Sequence, residues 1–223
     1  MASKLALLHT SPVLAPLFGS LCAKWLPEVR VYHLVDETLI KNTIDAGRLE
    51  KVTVRRLIGM IGSAFDAGVD AVLVTCSSIG PGVDAAKTLF DKPVIRVDEA
   101  MARAAVASGS RIGVIATLRT TLEPTAALVR RKANEAEKSI EIVEHLCEGA
   151  FEAVMAGDTA THDRILREAL TTKMRGMDAI VLAQASMARV VDALEPGAVS
   201  APVFASPELG VKHMRDVLLG GAD

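Results

Sequence analysis

A nine-residue frame occurs twice in this chain, and it restricts the fold more than any other feature. Asp178-Ala179-Ile180-Val181-Leu182-Ala183-Gln184-Ala185-Ser186 repeats Asp70-Ala71-Val72-Leu73-Val74-Thr75-Cys76-Ser77-Ser78, so Gln184 stands 108 residues after Cys76. Two further pairs keep nearly that spacing. Leu5-Ala6-Leu7-Leu8-His9-Thr10 corresponds to Ile112-Gly113-Val114-Ile115-Ala116-Thr117, and Pro93-Val94-Ile95 to Pro202-Val203-Phe204. A period of half the chain is too long for a solenoid. It predicts two similar lobes, 1–98 plus 207–223 and 99–206, related by a pseudo-twofold and facing one another. Cys76 and Gln184 then fall at equivalent strand ends, with a site between the lobes.

Short apolar runs alternate with longer segments of helical period, the pattern of parallel α/β sheets. The expected class is α/β, each lobe holding a mainly parallel four-stranded sheet flanked by helices. Strands are predicted near 4–9, 30–35, 71–76, 93–97, 111–116, 139–145, 179–184 and 202–205. Helices are predicted near 12–25, 47–67, 82–90, 98–108, 120–136, 147–156, 159–175, 186–194 and 207–219. With 223 residues, half of them hydrophobic, the chain can bury a sizeable core.

The formal net charge of −2 supplies no basic field for nucleic acid, and 3% aromatic residues leave little for base stacking. No apolar stretch is long enough to span a bilayer, and the N-terminus lacks a signal-peptide layout. With three cysteines and no export signal, a cytoplasmic location is expected. No Cys or His pair has metal-ligand spacing, no Gly-x-Gly-x-x-Gly loop follows a strand, and no Lys-centred motif stands out. Neither a metal nor an organic cofactor is expected.

Ligands of open α/β sheets bind beyond the carboxyl ends of the strands, where Cys76 is expected. The positive end of the following helix would favour its thiolate. Hydroxyls and backbone N–H groups around it suit a carboxylate, or the charge that develops when a carbanion forms beside one. Candidates are Thr10, Ser11, Ser77, Ser78, Thr117 and Ser186, each of which can instead cap a helix or form a turn. Gln184 can orient a carboxylate or amide, or simply be a satisfied polar strand end. His9 can pair with Cys76, although a hydrogen-bonded structural histidine is the default. Asp36 and Asp98 can place a base or cap a helix. Cys147, just past a predicted strand, is either a displaced second thiol or a packing residue, and Cys22 reads as core.

Thr75-Cys76-Ser77-Ser78, Leu182-Ala183-Gln184-Ala185-Ser186, Ala116-Thr117 with Thr120 and Thr121, and Ser11-Pro12 together resemble the Asp/Glu/hydantoin racemase superfamily over nearly the whole chain. The resemblance implies two facing α/β lobes and cofactor-independent proton transfer at the carbon next to a carboxylate. Two cysteines would work from opposite faces of that carbon. It also implies substrate contacts at Thr117, Thr120, Gln184, Ala185 and Ser186. The expected substrate is a small amino or dicarboxylic acid, and a homo-oligomer is expected.

The second family cysteine falls on Gln184, whose amide has no proton to exchange near neutral pH. Relatives with one catalytic cysteine include arylmalonate decarboxylase and maleate cis-trans isomerase. Cys76 is therefore read as an acid, a base or a nucleophile. A carboxylate-binding protein without catalysis is the reading outside enzyme chemistry.

Overall fold

Among the described residues, eight strands form two sheets of four, and every pairing is parallel. The computed structural model describes residues 2–220, the side chain of Asp192 excepted. The strands are β1 (Lys4–His9), β2 (Arg30–Val35), β3 (Ala71–Val74), β4 (Val94–Arg96), β5 (Arg111–Ala116), β6 (Glu141–Leu146), β7 (Ala179–Leu182) and β8 (Val203–Ala205). The first sheet has the order β2-β1-β3-β4 and the second β6-β5-β7-β8, one order written twice. Contacts divide the chain into two compact units, Met1–Glu99 with Pro207–Asp223, and Ala100–Ser206.

The helices are α1 (Leu14–Trp25), α2 (Glu37–Asp45), α3 (Lys51–Asp66), α4 (Gly80–Ala86), α5 (Glu99–Ser108), α6 (Arg119–Glu135), α7 (Ala150–Met155), α8 (Thr159–Glu168), α9 (Ala188–Asp192) and α10 (Ser206–Leu219). Among the described residues, no helix is long and apolar enough to cross a membrane.

The central strands are buried on both faces, which is why they read as unbroken apolar runs. In the first unit, Ala6 and Leu8 of β1 and Val72 and Val74 of β3 join a cluster with Leu39, Leu57 and Ile61. Their neighbours Leu5, Leu7, Ala71 and Leu73 face the other way, toward Phe18, Val97, Val211 and Met214. The side-chain period of two thus sends alternate residues to two helix layers. In the second unit, Ile115, Ile180 and Leu182 pack with Leu166, Leu170, Met174 and Met177.

Four local expectations are corrected. Helix α2 falls where no element was predicted, and the helix expected over 47–67 begins at Lys51. Gly47 causes both differences: at φ +66° it takes the left-handed conformation that ends α2. The segment expected as one helix over 159–175 is α8 followed by a wider π-helical turn, Ala169–Lys173. Strands β3 and β7 stop two residues short of Cys76 and Gln184. Both residues remain extended, with φ/ψ of −126°/117° and −128°/140°, and each leads into a single 3₁₀ turn, Ser77–Ile79 or Ala185–Met187.

Candidate active site

Strands β1 and β3 lie side by side with Leu8 opposite Val74, and the Thr75 N–H continues the ladder onto the Leu8 carbonyl. His9-Thr10-Ser11 and Thr75-Cys76-Ser77 therefore leave the sheet at the same edge. Cys76 is half-buried. Its thiol meets the Thr10 hydroxyl, the backbone N–H groups of Ser78 and Ile79, and the Ser78 hydroxyl. Burial pushes the thiol up, and these hydrogen bonds only partly oppose it. The expectation that a helix N-terminus would favour the thiolate is corrected here. Helix α4 has only seven residues and starts beyond the 3₁₀ turn, and burial is the largest influence on the thiol. At neutral pH the group rests as a thiol with hydrogen-bond donors aimed at its sulfur.

Thr10, Ser77 and Ser78 are buried, and Ser11 is half-buried. His9 is fully buried and engaged elsewhere than at the thiol. The Thr75 hydroxyl donates to the Leu8 carbonyl at 3.1 Å, so it accepts from His9 Nδ1–H at 2.8 Å. His9 Nε2 then accepts from His33 Nδ1–H at 2.9 Å, a tautomer assigned by the network. Burial, then the neighbouring His33, lowers the His9 pKa from 6.5 to about 4.

His9 is thus neutral in the folded protein over a range where an unfolded histidine is charged. Its contribution to stability is complete above pH 6.5 and is lost as the pH falls toward 4. The loss should reach about 3 kcal/mol. Urea unfolding of the wild type and of His9→Gln, each at pH 7 and pH 4.5, checks this. Equal acid sensitivity of the two proteins would contradict it.

Asp36 caps α2: its Oδ1 accepts from the Thr38 N–H at 2.9 Å and the Thr38 hydroxyl at 2.5 Å, and its Oδ2 from Arg56 at 2.5 Å. Burial pulls the other way, but these bonds hold its carboxyl below the usual range. Cys147 is buried in the core of the second unit, and burial raises its thiol to about 11. Cys22 is likewise buried and raised to about 11.

In the second unit Thr117 follows β5 and Gln184 follows β7. The Thr117 N–H and hydroxyl both donate to Gln184 Oε1, at 2.6 and 2.9 Å. Both Thr117 donors are therefore spent, and its oxygen is left only as an acceptor. The same pair of bonds fixes the amide plane, so what Gln184 has left to offer is its N–H₂ group. Thr120 Oγ1 is buried without a partner, a donor still to be used. Ala185 is half-buried and Ser186 exposed. Among the described residues, no three His, Cys, Asp or Glu side chains are grouped to hold a metal ion.

Neither Thr75, which anchors His9, nor Arg96, the last residue of β4, is among the candidates that the sequence pattern marks. The available signal for Arg96 was a cation closing an apolar strand, with Asp98 two residues later.

The Asp/Glu/hydantoin racemase family profile matches residues 17–214. No curated protein sequence matches significantly. Glutamate racemase of Bacillus anthracis superposes with a TM-score of 0.76 at 18% identity, over 98% of this chain and 82% of that one. Aspartate racemase of Picrophilus torridus gives 0.72 at 13% identity, over 96% and 93%. Allantoin racemase of Klebsiella pneumoniae gives 0.70 at 20% identity, over 99% and 89%.

Proposed function

The chain belongs to the Asp/Glu/hydantoin racemase family, and from that premise we propose that it is a cofactor-independent enzyme in which Cys76 moves a proton at the carbon beside a carboxylate. The substrate is a small amino or dicarboxylic acid. One observation carries the reading: the Cys76 thiol lies beyond a parallel strand, with the Thr10 and Ser78 hydroxyls and two backbone N–H groups engaging its sulfur. A thiol so placed can give up its proton and leave a thiolate that already has its hydrogen bonds. Carbanion formation beside a carboxylate spreads charge onto the carboxylate oxygens, which need donors placed in advance. The Ser11 and Ser77 hydroxyls, on the loops that follow β1 and β3 in the same unit, suit that task.

A second reading is favoured by Gln184 itself. Its carbonyl is bound by Thr117, its amide exchanges no proton, and the Cys147 thiol is buried. Proton delivery from one face then suits decarboxylation or cis–trans isomerization. In decarboxylation the bond to one carboxyl breaks, carbon dioxide leaves, and the Cys76 proton goes to the remaining carbon. Water returns a proton to sulfur.

Proton NMR in D₂O with amino acids, hydantoins, maleate and substituted malonates tests both readings. Deuterium entering the α-carbon with inversion supports racemization. Loss of carbon dioxide or of the cis alkene supports the single-thiol reactions. No change in any compound, with ligand-induced stabilization intact, would indicate a carboxylate-binding protein instead. If the wild type is one-sided, Gln184→Cys is expected to gain inversion at the α-carbon, measured by chiral chromatography. A Gln184→Cys protein that exchanges deuterium with full retention would contradict that expectation.

A further inference from the structure

Arg96 is a cation enclosed almost completely by protein, with 2% of its surface exposed. It ends β4 opposite Val74, two residues before Cys76 on the neighbouring strand. Its guanidinium makes a fork with Asp98, which is fully buried: Nε donates to Oδ1 and Nη2 to Oδ2, each at 2.9 Å. The third edge, Nη1, donates to Asp84 Oδ2 of α4 at 2.7 Å. A Cβ placed on Gly80 would overlap the guanidinium carbon and two of its nitrogens. Gly80 has an ordinary helical backbone, φ −53°, so this close approach, not conformational freedom, is what calls for glycine. Gly80 directly follows Ser78 and Ile79, whose N–H groups meet the Cys76 sulfur.

We propose that Arg96 is a positioning residue for the thiol: its guanidinium, held flat by Asp98 and Asp84, supports the Cys76–Gly80 turn and keeps the Ser78 and Ile79 N–H groups on sulfur. The arrangement needs a planar fork with three bonded edges, which lysine does not supply. The charged groups around the turn are Arg96 of β4, Asp98 ahead of α5, Asp84 of α4, and Lys87 of α4 paired with Glu99 at 2.6 Å. The inference deepens the proposed function, since its importance for turnover rests on Cys76 being the reacting group.

The test is the pH profile of Cys76 alkylation by iodoacetamide, followed on the Cys76 peptide by mass spectrometry, which requires no substrate. Arg96→Lys keeps the charge and removes the fork. The double variant Arg96→Gln with Asp98→Asn removes both buried charges, so neither is stranded if the lysine variant fails to fold. In either folded variant the midpoint should rise by about one pH unit, as expected when hydrogen bonds to the charged form weaken. Where a substrate is known, kcat should fall with KM little changed. A folded variant with the wild-type alkylation midpoint overturns the positioning role, whatever its turnover. A raised midpoint in a protein whose wild type turns over nothing would uphold Arg96 and reject the enzymatic reading instead.

Discussion

Cys76→Ala is expected to reduce turnover by about 10³-fold or more, toward the upper end of what a positioned acid or base contributes. Cys76→Ser should be nearly as inactive, because a hydroxyl is a much weaker acid than a thiol and gives up its proton far less readily. Both variants should remain folded, since the side chain is small and half-buried. A substrate analogue should still bind to both proteins, because the donors on the neighbouring loops remain. The measurement is the rate of α-proton exchange in D₂O at saturating substrate. Retention of a tenth of the wild-type rate by Cys76→Ala would remove the thiol from the mechanism.

The other large effect is on stability. Arg96→Met should cost about 3–5 kcal/mol, because it strands the fully buried Asp98 carboxylate without its partner. Asp98→Leu should cost about as much for the mirrored reason, although Asp84 still faces the guanidinium. The double variant should recover much of the loss, since two well-packed apolar side chains leave no buried charge. Urea denaturation of the single variants and the double variant gives the coupling directly. Additive losses would mean that Arg96 and Asp98 act independently, contrary to their bidentate geometry.

The repeated frame made the two four-stranded parallel sheets legible, because strands buried on both faces leave continuous apolar runs such as Ala71–Val74 and Ala179–Leu182. Helix α2 was not legible. Its apolar positions are few, and the glycine that ends it falls within what read as the start of the next helix. At the candidate site, the placement of Cys76 just beyond a strand could be read from its neighbours, and so could the closeness of Ser78. The partner of Thr117 could not. Its sequence neighbours marked it as a donor to substrate, whereas the pairing of β5 with β7 brings Gln184 to it from 67 residues away and uses both donors. Asp36 was ambiguous between cap and base until its bonds to Thr38 and Arg56 were in view.

Periodicity, punctuation and repetition are local properties, so the sequence alone determined the fold class and the doubled strand pattern. The direction of the Cys76 shift, the lowered pKa of His9 and the buried bonds of Arg96 were decided only in three dimensions. Each depends on desolvation and on hydrogen-bond partners far away in the chain. Cys76 shows why: a helix start reads as favouring a thiolate, but burial raises the thiol, and that burial exists only once β1 and β3 lie side by side.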